Sequence, residues 1–218
     1  MTETATAWDD EYARGRYRHE PPVPFVDDIL AAARAHHLTS GLYVGCGNGR
    51  NYLPLVAGGL DLTGLDISRT ALDQLAERRP GARLHHGDLA TLPPGGYDVV
   101  VGIQVFQHGT AAETRAHVRA AAERVAPGGL LCVRVNALGT DIWPAHDVIE
   151  DGDGRTVRYT AGPKSGLAIH FFAADELRAA VGPGFREILP LRRDSTVRPD
   201  PAHGRWCQWE AVWHRDVG

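Results

Sequence analysis

Two periods of apolar residues alternate along this chain. Phe25, Val26, Ile29, Leu30 and Ala33 recur at the spacing of one helical face, behind Pro22-Val23-Pro24, which puts proline in the first turn of a lead-in helix ending near His37. Beyond it, short apolar runs at Leu42–Cys46, Leu60–Ile67, Ala82–His86, Tyr97–Val101 and Leu130–Val135 have the length and β-branched content of buried strands. Between them lie stretches with helical spacing near Arg50–Val56, Thr70–Arg79 and Thr110–Ala126. The last opens with the capping pattern Thr110-Ala-Ala-Glu113 and stops at Pro127-Gly128-Gly129. Strand and helix in strict alternation predict an α/β fold: a parallel, doubly wound sheet with a ligand at the carboxyl ends of its strands.

The alternation breaks after Asn136. Residues 138–172 contain a Trp-Pro pair, the turn Glu150-Asp151-Gly152-Asp153-Gly154 between Val148-Ile149 and Thr156-Val157, and a Gly162-Pro163 break, which together predict an inserted hairpin. A helix at Asp175–Val181 and strands at Phe185–Leu191 and Arg205–His214 complete the pattern. In the last strand Trp206, Trp209 and Trp213 cannot share one face, so they read as strand-edge aromatics. A length of 218 residues suits one domain, divided into a lead-in (1–38), a core (41–136), the insertion (138–172) and a carboxyl-terminal segment (173–218).

Composition narrows the class of function. A net charge of −4 with no basic run gives no footprint for nucleic acid, so a small-molecule partner is expected. No apolar segment has the length of a signal peptide or a membrane span, which predicts a soluble, cytoplasmic protein, monomeric or homodimeric. Cys46, Cys132 and Cys207 are too scattered for a disulfide framework or a zinc site, and no metal is expected. Several tempting motifs fail. His85 and His86 point to opposite faces of a strand. Gly162-Pro163-Lys164-Ser165 has proline where a phosphate loop needs glycine, and Asp147–Asp153 lacks the order of a calcium loop.

The chemistry concentrates in Leu42-Tyr43-Val44-Gly45-Cys46-Gly47-Asn48-Gly49-Arg50-Asn51 and in Gly64-Leu65-Asp66-Ile67-Ser68. Glycines at alternate positions after a strand leave backbone N–H groups open to a ligand, and an acid at the end of the next strand suits a pair of ribose hydroxyls. A dinucleotide fingerprint would need a third glycine at Arg50 or Tyr52, so the spacing G-x-G-x-G argues against pyrophosphate. With Gly87-Asp88-Leu89, Tyr97–Gly102 and Ala126-Pro-Gly-Gly129 following in order, residues 41–136 resemble the core of class I S-adenosylmethionine-dependent methyltransferases of the small-molecule type.

That resemblance implies a single Rossmann-like domain: a seven-stranded, mostly parallel sheet with an antiparallel last strand and helices on both faces. It implies that Gly45, Cys46, Gly47, Gly49 and Asn51 surround the methionine and ribose parts of S-adenosylmethionine. Asp66 would accept from the ribose hydroxyls, Ile67 would lie on adenine, Asp88 and the Leu89 backbone would meet its polar edge, and Gln104 would border the methionine. Tyr43 stands where many members carry an acid that supports the cofactor ammonium. Trp8-Asp-Asp-Glu-Tyr12-Ala-Arg-Gly15-Arg16 is similar to the lead-in of thiopurine-type and tellurite-resistance-type methyltransferases, which implies Trp8 and Tyr12 over the cofactor and Arg16 on its carboxylate.

Methyl transfer needs alignment and exclusion of water, and only sometimes a base. His108, after the fourth strand, and His170, facing the insertion, are the candidates for that base. Tyr17, Trp143, Arg158 and Tyr159 are expected to wall the acceptor pocket, the acceptor being a small molecule of natural-product or secondary-metabolite type. Two other functions fit the same residues: an enzyme that uses the sulfonium for cyclisation or elimination, yielding no S-adenosylhomocysteine, and a degenerate fold that only binds.

Overall fold

A computed structural model describes residues 3–92, 95–162, 164–198 and 203–217. Helices α1 (Glu3–Ala13) and α2 (Phe25–Ala35) lead into β1 (Ser40–Val44), α3 (Tyr52–Ala57), β2 (Asp61–Asp66), α4 (Arg69–Arg78) and β3 (Arg83–His86). A short 3-10 turn (Leu89–Thr91) precedes β4 (Tyr97–Ile103), α5 (Ala111–Glu123) and β5 (Val125–Asn136). Then come β6 (His146–Asp151), β7 (Arg155–Tyr159), β8 (Ala168–Phe171), α6 (Ala174–Val181), β9 (Phe185–Val197) and β10 (Arg205–Arg215). The main sheet runs β3-β2-β1-β4-β5-β10-β9, and β10 alone is antiparallel to its neighbours. The doubly wound α/β sheet is therefore present with its antiparallel last strand.

Alternation within the strands builds a core on each face. Tyr43, Val99, Val101, Leu130 and Cys132 pack with α2, α3 and α4, while Leu42, Val44, Val100, Leu131 and Val133 pack with α5 and α6. With both faces covered, the inner strands must be apolar throughout, which is why they read as continuous runs. The helix starts carry the expected chemistry. Pro24 precedes α2, and Thr110 and Glu113 close a reciprocal capping box at α5. All three cysteines are free and buried. No helix among the described residues is long and apolar enough to cross a membrane.

The insertion differs from the expected hairpin. β6 and β7 form that hairpin, but β8 joins them in a separate three-stranded antiparallel sheet with its own small core of Val157, Tyr159, Ile169 and Phe171. A lone hairpin is marginal in water, and the third strand supplies the missing apolar face. Pro163, half of the expected break, lies outside the described residues. Isolated bridges from His108 to Ile169 and from Ala137 to Phe172 tie this sheet to the carboxyl ends of β4 and β5. It stands over the point between β1 and β4 where the strand order reverses, the usual crevice of such sheets.

Candidate functional site

The loop after β1 holds the first wall of that crevice. Gly45 and Gly47 have φ of +68° and +53°, in the left-handed region, and a Cβ on Gly47 would overlap the Tyr12 hydroxyl. The buried Asp66 carboxylate fixes the loop: Oδ2 accepts from the Gly47 N–H at 2.8 Å and Oδ1 from the Ser68 N–H at 2.8 Å. Burial raises its pKa against the pull of those two bonds. Each oxygen retains a second lone pair. Asp66, Ile67, Asp88 and Leu89 line a cavity of about 190 Å³ with Val105 and Phe106. Asp88 Oδ1 accepts from the N–H groups of Ala90 at 2.9 Å and Thr91 at 3.3 Å, which turns the other oxygen outward from this cap.

Helix α1 forms a roof. Asp9 reaches the amino end of α4, where Oδ1 accepts from Ser68 Oγ at 2.6 Å and from the Thr70 N–H at 2.9 Å. Burial pulls the Asp9 pKa up, but those hydrogen bonds outweigh it and hold the carboxyl below its ordinary range. Gln74 Nε2 donates to the Tyr12 carbonyl at 3.0 Å, and Asn48 Nδ2 donates to the Arg16 carbonyl at 3.1 Å. Trp8 and Tyr12 consequently line both the small cavity and a second one of about 490 Å³.

The larger cavity receives residues from distant parts of the chain. Arg16 and Tyr17 come from the lead-in, Trp143, Tyr159, Lys164 and Phe171 from the insertion, and Arg198 and Trp206 from the ends of β9 and β10. Gln104, Gly45, Trp8, Tyr12 and His108 belong to both cavities and mark their junction. Gln104 has φ +59°, uncommon for a residue other than glycine. Its Nε2 donates to Gln208 Oε1 at 3.3 Å, and Trp206 Nε1 and Gln208 Nε2 both donate to Asn136 Oδ1, making a polar floor. The carbonyl of Gln104 accepts from His108 Nε2 at 3.2 Å, which assigns the ring proton to Nε2 and leaves Nδ1 an acceptor. Nδ1 is buried with no partner among the described residues, and burial lowers the His108 pKa to about 3. The edge of that ring meets Trp8 at 4.9 Å.

Several expected roles are corrected by placement. His170 is no candidate base: it is sealed under the insertion, with Nδ1 at 2.8 Å from Thr156 Oγ1 and Nε2 at 3.0 Å from Glu176. Arg158 is exposed and lines neither cavity, because the alternation of β7 sends it opposite to Val157 and Tyr159. Gly49 also lines neither; a Cβ there would come within 2.6 Å of Leu75, so it serves packing against α4. Asn51 does line the larger cavity, though its Oδ1 is occupied by the Val23 N–H at 3.0 Å. Tyr43 is buried at the wall of the larger cavity and hydrogen-bonds the Asn51 side chain, so a neutral phenol stands at the position of the usual acid. Trp206 is a cleft residue and not a strand-edge aromatic, whereas Trp209 Nε1 donates to the Phe172 carbonyl and Trp213 joins the core. Lys164, Arg198, Gln107 and Asn136 line the cleft without any sequence motif to mark them.

A methyltransferase-domain family model matches residues 42–131. Over 157 residues the chain is 31% identical to dTDP-3-amino-3,4,6-trideoxy-alpha-D-glucopyranose N,N-dimethyltransferase of Streptomyces venezuelae; the match spans 67% of this chain and 66% of that enzyme, a little under two thirds of its length. Among solved structures, CalS10, an amino pentose methyltransferase from Micromonospora echinaspora solved with S-adenosylmethionine, shares the fold at TM-score 0.59 and 22% identity over 94% of this chain and 95% of that one. The sugar N-methyltransferase KedS8 from Streptoalloteichus sp aligns at TM-score 0.61 and 20% identity over 95% and 92% of the two chains. Sheet order, glycine loop and relatives agree: residues 42–131 match a methyltransferase domain, and the chain has the fold of S-adenosylmethionine-dependent methyltransferases.

Proposed function

We propose that the protein transfers the methyl group of S-adenosylmethionine to an amine nitrogen of a small-molecule acceptor. The observation that carries this reading is the meeting of two cavities at Gly45, Gln104 and His108. One is small, largely apolar and carries two carboxylates; the other has the volume of a drug-sized ligand site and walls from four parts of the chain. The residues fit the cofactor. Gly45 and Gly47 admit it closely, Asp66 keeps lone pairs for two hydroxyls, and Ile67, Leu89 and Phe106 suit a planar base whose amine would reach Asp88. Arg16, at the rim of the larger cavity, suits the carboxylate of the amino-acid tail.

Bound S-adenosylmethionine supplies a methyl group on a sulfonium, open to in-line displacement by a nucleophile. His108 accepts a hydrogen bond at Nδ1 from the acceptor amine and so orients it; with its pKa held near 3 it does not take the proton, which leaves the site on the methylated ammonium product. Trp8 and Tyr12 exclude water from the junction. The amine is supported by the Streptomyces venezuelae relative, whose acceptor is an amino sugar. Cytoplasmic placement is supported by the three unpaired thiols.

The test is product analysis with S-adenosylmethionine and a panel of amino sugars, free and nucleotide-linked, beside their hydroxyl counterparts. Equimolar S-adenosylhomocysteine and N-methylated product from an amine is the expected result. Consumption of the cofactor without a methylated product, or methylation of the hydroxyl compounds alone, contradicts the reading.

A further inference from the structure

Two cations in the larger cavity have no anionic partner among the described residues. Lys164, in the connection from β7 to β8, and Arg198, just past β9, flank Trp143 with Nζ 6.0 Å and the guanidinium carbon 5.5 Å from its ring centroid. Arg198 Nη1 donates to the Asp141 carbonyl at 2.6 Å, and the carboxylate of that residue, which accepts from the Arg205 N–H at 2.6 Å, acts on the guanidinium through space without forming an ion pair with it. The acids nearby are already engaged. Glu11 pairs with Arg14 at 2.9 Å and faces Arg16 at 3.6 Å, and Glu20 pairs with Arg50 at 2.9 Å. This local excess of positive charge lies on a chain whose net charge is −4, so it does not follow from composition. A half-buried ammonium without a counter-ion is costly, and burial pushes the Lys164 pKa down to about 8. One cation on Trp143 would satisfy a ring interaction; two, converging on a cleft, form a receptor.

We propose that the acceptor carries an anionic group of the phosphate or carboxylate class, and that Lys164 and Arg198 receive it beside Trp143. The proposal rests on the methyl-transfer reading, because it assigns the larger cavity to the acceptor. The guanidinium offers a planar fork of donors and the ammonium a point charge, so together they select acceptors by charge as well as by shape.

The test titrates inorganic pyrophosphate and succinate into the protein loaded with S-adenosylhomocysteine, at low salt. Wild type is expected to bind at least one of them, and the tighter one identifies the class of anion. Lys164→Gln and Arg198→Gln should each weaken that binding at least about tenfold, as loss of one charge-assisted contact predicts. Affinity for S-adenosylhomocysteine should stay within about twofold, which shows that the variants are folded. Anion affinity equal in wild type and both variants, or no anion binding by the loaded wild type, overturns the assignment while leaving methyl transfer standing. Failure of S-adenosylhomocysteine itself to bind overturns the underlying reading, and this one with it.

Discussion

The Asp66 carboxylate holds the Gly47 and Ser68 amides before any ligand hydroxyl reaches it, so its removal loosens the glycine loop as well as the ribose site. Asp66→Ala is expected to weaken S-adenosylhomocysteine binding by about 1–3 kcal/mol, roughly 5- to 150-fold, in a calorimetric titration. Unchanged affinity would remove Asp66 from the site. His108 gives a second residue-level prediction, with its sign fixed by burial. Its folded pKa of about 3 lies below the ordinary 6.5, so the unfolded chain binds the extra proton between those values and stability falls as pH drops through that window. The imidazole should remain neutral by NMR at pH 5, and His108→Gln should flatten the decline in stability below pH 6.5. An imidazolium signal for His108 at pH 5 would contradict its proposed role as a hydrogen-bond acceptor. Asp66 was legible because strand end and motif coincide. The state of His108 was not, since it depends on the Gln104 carbonyl and on Trp8 from the far end of the chain.

At the scale of elements, α1 is tied over the crevice by polar contacts in its second half, at Asp9 and at Tyr12. Asp9 acts as a second cap for α4, supplied from another helix, and its loss should cost about 0.5–2 kcal/mol. Asp9→Ala should therefore speed amide exchange across Glu3–Ala13 while α5 and β4 stay protected; equal protection in both proteins would show that α1 is held by something else. Because the folded pKa of Asp9 is depressed, this docking is present above the unfolded carboxylate value and is lost as pH falls through the folded one. The insertion makes the opposite case, where a suspected catalytic group is a strut. His170 bridges Thr156 and Glu176, and Glu176 takes Arg115 from α5 at 2.9 Å. His170→Ala should destabilise the fold by about 1–3 kcal/mol in a denaturant titration and leave affinity for S-adenosylhomocysteine within about twofold. Lost cofactor binding in a folded His170→Ala protein would reinstate it as a site residue.

For the whole molecule, the sheet was readable because strands buried on both faces leave long apolar runs, and helices between them carry caps such as Thr110 and Glu113. The third strand of the insertion was hidden. Ala168–Phe171 is short and follows a Gly-rich connection, and its pairing with Arg155–Arg158 is decided by a small core that no local pattern encodes. The same physics separates the two halves of the site. The cofactor side is built from loops that each follow one strand of the sheet, with the short motifs at Gly45–Gly47, Asp66-Ile67 and Asp88-Leu89 marking three of them, whereas Tyr17, Trp143, Lys164, Arg198 and Trp206 meet only after the lead-in, the insertion and the β9–β10 ends have packed together. The central claim is that this junction binds the methyl donor, and calorimetric titration of the wild-type protein with S-adenosylhomocysteine tests it most directly. The junction predicts saturable binding at one site per chain; no heat of binding up to high micromolar ligand would contradict it.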